Sequence, residues 1–218
     1  MRVLVCTMVL ALVSLATTGS ADAVDRKRRR PGPLRVLLVG DSITMNYSGL
    51  AATALAAKGY EVIQFGVGGS SILDADACKG HRARILLNAF DPDVVVYQNT
   101  GNYHRPCPPQ VAYASKQFYR QWKAAARVNQ RILISKGARF FWILNPAVRH
   151  PVVTPAVPQI NAIFRAVGAT KPANVKLIDA WTPFGGATFN PALHVADGIH
   201  LSPAGAQTMA NLVVAAVG

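Results

Sequence analysis

The sequence predicts a three-layer α/β/α sandwich around a central, mainly parallel five-stranded sheet. Three observations predict it. From Leu34 onward, short apolar runs alternate with longer amphipathic stretches. The short runs are rich in Val and Ile and apolar on both faces, as strands buried between two helical layers are. Glycines and prolines fall where helices should end and begin. Strand–helix alternation of this kind builds a parallel sheet with right-handed crossovers.

Taken in order, the strands are expected at 35–40, 61–66, 93–100, 140–145 and 175–179. The helices are expected at 49–58, 76–90, 109–136, 155–167 and 203–217. Gly59, Gly137 and Gly168 stand at helix ends, and Pro109 and Pro203 at helix starts. The helix after the third strand carries Tyr113, Phe118, Trp122, Ala125 and Val128 on one face, which should pack on the sheet. Lys116, Arg120, Lys123, Arg127 and Arg131 fall on the other face and read as a solvated surface.

The ends of the chain read differently. Arg2 precedes an apolar run from Val3 to about Ala16, and Ala21, Asp22 and Ala23 fit a small-x-small cleavage pattern. Residues 1–23 are therefore read as a signal peptide that places the mature protein outside the cytoplasm, with no membrane span in the mature chain. Five of the nine residues at 25–33 are basic, from Arg26 to Arg30, and prolines and a glycine follow. Residues 24–33 are read as a flexible linker whose charge suits anionic envelope polymers. Residues 34–218 form the folded domain. No nucleic-acid-binding module is recognisable. Export removes Cys6 with the signal and leaves Cys78 and Cys107, for which one disulfide is the natural reading. A metal site from Cys78, His104 and Cys107 has no ligand spacing behind it.

In parallel sheets, ligands bind beyond the carboxyl ends of the strands. Four segments meet there or just before the last helix: Gly40-Asp41-Ser42, the run GVGGSS at 66–71, NTGNY at 99–103 and DGIHLSP at 197–203. Together they can supply what acyl transfer needs. A serine hydroxyl needs a base. The base is usually a neutral His oriented by a carboxylate. The tetrahedral oxyanion needs preset donors. Ser42 is the candidate nucleophile, His200 the base and Asp197 its orienter. The backbone N–H groups of Ser42 and Gly69 and the side-chain amide of Asn102 are the candidate oxyanion donors. No metal or organic cofactor is required.

These segments resemble the blocks of the SGNH hydrolase superfamily, the GDSL-like esterases and lipases. Gly40-Asp41-Ser42 matches the first block. Gln64, Gly66, Gly69 and Ser71 fall on the second, with Gly69 at its oxyanion glycine. Gly101-Asn102 matches the third and Asp197 with His200 the last. The resemblance runs from about Leu34 to the C-terminus and implies the flavodoxin-like fold of that superfamily and hydrolysis of carboxylic esters. Two positions depart from the pattern. Tyr103 stands where many members have Asp, and Gln64 where they have Asn.

Several rivals accompany these assignments. Ser42 also suits a helix N-cap. His194 precedes His200 by six residues but has no Asp three positions before it. Gly68 competes with Gly69. Asp41 reads as a support for its turn, and Asp179 as either a turn residue or part of the cleft. Tyr103, His104 and Arg105 are expected in the substrate wall, with Tyr103 and His104 as candidate substrate-binding residues. The proline-rich stretch 146–155 is expected at the cleft rim. The function expected is a secreted serine esterase acting on short-chain or O-acetyl esters of a small molecule or glycan. An O-acyltransferase acting on envelope polysaccharide and a non-catalytic carbohydrate-binding module stay open beside it.

Overall fold

The computed structural model describes residues 32–218. The segments read as signal peptide and basic linker, including Arg26 to Arg30, lie outside the described residues apart from Gly32 and Pro33. Five strands, β1 (Arg35–Gly40), β2 (Glu61–Gly66), β3 (Val94–Gln98), β4 (Arg139–Leu144) and β5 (Val175–Asp179), form one sheet in the order β2-β1-β3-β4-β5. Every pairing is parallel. The α/β/α sandwich predicted from the sequence is the fold.

Strand periodicity distributes the core between two helical layers. Leu37, Val39, Val95, Tyr97, Phe140 and Trp142 face α2 (His81–Phe90), α3 (Lys116–Leu133) and α4 (Val157–Gly168). Val36, Leu38, Val94, Val96, Phe141 and Ile143 face α1 (Ser42–Ala56) and α5 (Pro203–Val217). Alternate side chains leave opposite faces of a strand, so a run apolar at every position fits only a sheet covered on both sides.

The largest departure from the sequence reading lies in α1. The helix begins at Ser42 and not near residue 49. Asp41 is its N-cap and accepts from the Ile43 N–H at 2.9 Å. Ile43, Tyr47, Ala51 and Leu55, four residues apart, make its fully buried stripe. Ser42 is thus the first helical residue, and the N-cap role belongs to its neighbour. In α2 the helix starts later than expected. Residues 71–80 are taken up by turns in which Asp74 accepts from the Ser71 N–H, Arg82 pairs with Asp74 and Asp76, and Gly80 is left-handed at φ +75°. In α3 the cap is Ser115, six residues past Pro109. Gly168 belongs to α4, which ends with Ala169 as its cap.

Gly40 ends β1 where the backbone must pass very close to β3. A Cβ there would fall on Thr44 Oγ1 and on the Gln98 carbonyl oxygen, well inside van der Waals contact. The carbonyl is backbone and cannot swing aside. Gly40→Ala should therefore lower unfolding stability by about 3 kcal/mol, read from denaturant midpoints. A loss under about 0.5 kcal/mol would show that the two strands separate without cost.

Cys78 and Cys107 are joined, with Cα atoms 6.2 Å apart. Their sulfurs are therefore not metal ligands. The bridge closes a loop with a sequence separation of 29, worth about 3–4 kcal/mol in the chain-entropy account. It fastens residues 105–107 to 73–75, which also exchange backbone hydrogen bonds: Cys107 N–H to Leu73 and Ala75 N–H to Arg105.

Candidate active site

In this strand order the connection from β1 leads one way to β2 and the next leads back past β1 to β3. The crevice where the order reverses is the usual ligand position in open α/β sheets. Ser42 follows β1 and Asn102 follows β3, so both stand at it. Ser42 is also at the amino end of a 15-residue helix. The first N–H groups of a helix have no intrahelical acceptor, and the helix dipole favours negative charge there.

The loop before α5 brings the other partners. His200 Nε2 lies 2.9 Å from Ser42 Oγ, across 158 residues of sequence. His200 Nδ1 lies 2.6 Å from Asp197 Oδ2. The other carboxylate oxygen, Oδ1, accepts from the backbone N–H groups of Ile199 at 2.8 Å and His200 at 2.9 Å. Desolvation pushes the Asp197 carboxyl up. The hydrogen bonds from the His200 ring and from the two N–H groups outweigh it and bring the carboxyl down to about 2. An ionised Asp197 requires the proton of a neutral imidazole on Nδ1. That leaves the Nε2 lone pair facing the serine hydroxyl.

Three fixtures hold this loop. The Leu201 N–H donates to Asn46 Oδ1 at 3.1 Å, and Asn46 lies one helical turn after Ser42. The Arg149 N–H donates to the Gly198 carbonyl at 2.8 Å, beside a left-handed Gly198 at φ +71°. Ser202 caps α5 through the Gly205 N–H. The stretch 146–150 therefore supports the His200 loop, with Pro146, Ala147 and Val148 buried.

Under the crevice lies a buried polar network. Asp41 is fully buried. Its Oδ2 accepts from the Thr100 N–H at 2.7 Å, the Thr100 hydroxyl at 2.9 Å and the Asn102 amide at 3.3 Å. Burial pushes this carboxyl above the ordinary carboxylate value, and the bonds from Thr100 and Ile43 pull against it. Gln98 accepts from Thr44 at 3.1 Å and donates to Thr100 at 2.8 Å and to Asn145 at 3.0 Å. Asn145 is held in turn by Asn161 of α4. The network ties α1, β3, β4 and α4 into one floor, and a buried network of this kind rigidifies its surroundings.

The oxyanion candidates meet here in part. Asn102 is half-buried, and its amide donates to the Ser70 carbonyl at 3.1 Å as well as to Asp41. Gly69 is left-handed at φ +69°, and a Cβ on it would lie 3.6 Å from His104 Cδ2. His104 thus borders Gly69, and its side chain is exposed. Gly68 is exposed one residue earlier.

Other candidates are placed elsewhere. Tyr103 is half-buried and turned toward its own loop. Its hydroxyl bonds both the N–H and the carbonyl of Val111 at 3.0 Å, and its ring packs against Tyr113 and Phe118, so it staples the 103–111 loop. His194 is buried between Phe184 and Phe189 with Nδ1 on the Asn190 carbonyl, and desolvation lowers its pKa. It packs behind the His200 loop. Asp179 makes a turn by accepting from the N–H and hydroxyl of Thr182.

Sequence reasoning missed Asn46 and the Gln98–Asn145–Asn161 chain. Asn46 had a signal: a helix beginning at Ser42 puts residue i+4 on the same face. Gln98, Asn99 and Thr100 closing an otherwise apolar strand were another.

A family profile described as the GDSL-like lipase/acylhydrolase family matches residues 38–208. The chain belongs to that family. It is a hydrolase acting on carboxylic ester bonds. Comparison with curated proteins found no match. Solved structures with the same fold include the lipase/acylhydrolase from Enterococcus faecalis, with TM-score 0.61 and 22% identity over 84% of this chain and 95% of that one. The acetylxylan esterase Axe2 from Geobacillus stearothermophilus gives 0.63 and 16% over 86% and 95%. A carbohydrate esterase family 3 protein from Talaromyces cellulolyticus gives 0.64 and 13% over 84% and 96%.

Proposed function

We propose that the protein is a secreted serine esterase that removes short acyl groups, O-acetyl groups on carbohydrate above all, through a Ser42–His200–Asp197 triad. The observation that carries this reading is the unbroken relay from Ser42 Oγ to His200 Nε2 at 2.9 Å and from His200 Nδ1 to Asp197 Oδ2 at 2.6 Å. Ser42 attacks the ester carbonyl as Nε2 takes its proton, and Asp197 stabilises the imidazolium. The N–H groups of Ser42 and Gly69 and the Asn102 amide receive the oxyanion, with Asn102 giving up its longer bond, to Asp41. His200 then protonates the leaving alcohol. Water repeats the sequence on the acyl-enzyme and frees the acid.

Two features support a short acyl group on a bulky alcohol. The side chains of His200 and Asp197 are 39% and 46% exposed, so the triad opens onto the surface and a polymer-borne ester can reach it. The Axe2 and Talaromyces proteins of the same fold carry carbohydrate-ester names. Water has equally open access, which favours hydrolysis over transfer to a sugar. The assembled triad speaks against a purely binding role. For export, the support is the apolar run before Ala23 together with the disulfide. Among the described residues no helix is long and apolar enough to cross a membrane. Within this reading residues 1–23 are removed, 24–33 form the basic linker that meets anionic envelope polymers, and 34–218 act as the hydrolase.

A fluorophosphonate probe tests the assignment. It should label the folded protein once, at Ser42, with labelling lost on denaturation. Labelling of folded protein at another serine, or no labelling, would reject Ser42 as the nucleophile.

A further inference from the structure

The surface of α3 has a charge distribution that neither folding nor ester hydrolysis accounts for. Of the 23 Lys and Arg residues, six precede residue 32 (Arg2, Arg26, Lys27, Arg28, Arg29 and Arg30), leaving 17 in the described domain. Of the ten Asp and Glu, Asp22 and Asp25 precede it, leaving eight. Those eight are all occupied, in ion pairs with Arg35, Arg82 and Lys136, in the His200 contact, or by backbone and hydroxyl donors. The cationic excess therefore stays open, and much of it lies on one helix.

Lys116, Arg120, Lys123, Arg127 and Arg131 follow one another at spacings of four, three, four and four residues along α3, which contains no Asp or Glu. They form one stripe about 22 Å long. Arg120, Arg127, Arg131 and Lys116 are exposed and Lys123 is half-buried. None of the five has an ion-pair partner among the described residues. Like charges at these spacings repel. Lys116 in the first turn also opposes the helix dipole. Local stability gives no reason for the stripe.

We propose that the outer face of α3 is a docking track for a linear acidic polysaccharide, a glycan chain bearing carboxylates. The shape of the stripe selects this class. It is a single row of charges and not a disc, and no large apolar side chain on α3 is exposed, so it lacks the inserting residues of a membrane-surface helix. Duplex nucleic acid is read by a helix that protrudes into a groove, whereas α3 is flanked by α2 and α4, which both pack against it. Single strands are held on rows of stacking aromatics, whereas Phe118 and Trp122 of α3 are fully buried and the half-buried Tyr119 packs edge-on against Phe118, so no aromatic row accompanies the charges. A chain with one carboxylate per sugar or two needs only regularly spaced cations.

The topology also gives the track a direction. Residues 99–104, with Asn102 and His104, leave β3 at the sheet edge that holds Ser42, residues 105–109 pair with 73–75 and reach Gln121 of α3, and α3 runs antiparallel to the strands. Lys116 is therefore the end of the stripe nearest the candidate active site and Arg131 the far end. A chain lying on α3 would lead toward the ester-cleaving edge. That last step rests on the Ser42 assignment; the docking does not.

The test is binding of full-length protein to polygalacturonate at low salt, followed by titration with salt, with no turnover involved. The α3 variant Lys116→Gln/Arg120→Gln/Lys123→Gln/Arg127→Gln should bind at least about tenfold more weakly and with a flatter salt dependence. A control variant, Lys58→Gln/Lys171→Gln/Lys176→Gln, removes exposed charge elsewhere and should change affinity less than about twofold. Both should hydrolyse a small aryl acetate as the parent does, which also verifies their fold. Unchanged binding by the α3 variant would assign any attraction to the basic segment before residue 32 and overturn the proposal. Equal losses in both variants would reduce it to bulk charge. Tighter binding to single-stranded DNA or to anionic phosphatidylserine vesicles than to polygalacturonate would overturn the glycan class.

Discussion

Ser42→Ala is expected to lower kcat for a short-chain aryl ester by about five to six orders of magnitude. The substitution deletes the proposed nucleophile and leaves the rest of the relay. The expected cost to stability is within about 0.5 kcal/mol, because the hydroxyl bonds only His200 among the described side chains and the helix cap is made by Asp41 and not by Ser42. The two readouts separate chemistry from folding: turnover should vanish while thermal and denaturant transitions coincide with the parent. A second substrate strengthens the test. Hydrolysis of an acetylated glycan should fall by the same factor as that of the aryl ester, since both pass through one acyl-enzyme. Retention of either activity would place the nucleophile elsewhere.

The fold was legible in the sequence because its strands are short runs rich in Val and Ile, and the inner ones, β1, β3 and β4, are buried on both faces. The runs at 35–40, 61–66 and 175–179 match β1, β2 and β5 at both ends. The first two end on glycines, Gly40 and Gly66, at which a Cβ would clash. Gly40 is one such boundary, and the contact that forbids a Cβ there also explains the glycine. The start of α1 was not legible. Ser42, Thr44, Asn46 and Ser48 read as loop chemistry, since short polar side chains compete for the backbone. Tertiary contacts reverse that reading: Thr44 bonds Gln98, Asn46 bonds Leu201 and Ser48 bonds Gln64. The polar residues of the first two turns are partners for strands β2 and β3 and for the His200 loop. For the same reason Tyr103 could not be placed from sequence. The residues after it, His104 and Arg105, are exposed, and Val111, Tyr113 and Phe118, farther along the chain, turn it inward. Asp197 and His200 were legible because their contact is local, closed within one loop. The contact of His200 with Ser42 is not local, and its only trace in the sequence was the order of the four segments.

The second large effect concerns Asp197. Asp197→Asn should lower kcat by about two to four orders of magnitude, and it should do more damage than Asp197→Ala. The geometry explains the inversion. Asp197 Oδ1 already accepts from two backbone N–H groups, so an asparagine keeps its carbonyl oxygen there and turns its NH₂ toward His200 Nδ1. A donor facing Nδ1 forces the imidazole proton onto Nε2, where it points at Ser42 and cannot accept. Alanine leaves the imidazole free to choose its tautomer, so a useful fraction retains a basic Nε2. Equal rates for the two variants would mean that Asp197 acts by charge alone. Stability supplies an independent readout. The folded Asp197 carboxyl sits near 2, below its ordinary 3.8. A depressed carboxyl contributes stability that is present above the ordinary value and lost as pH falls toward the folded one. The parent should therefore lose more stability than Asp197→Asn between about pH 5 and about pH 3, with the difference complete only near the folded value. Parallel denaturant midpoints for the two proteins across that interval would indicate that the contacts of Asp197 do not depress its carboxyl.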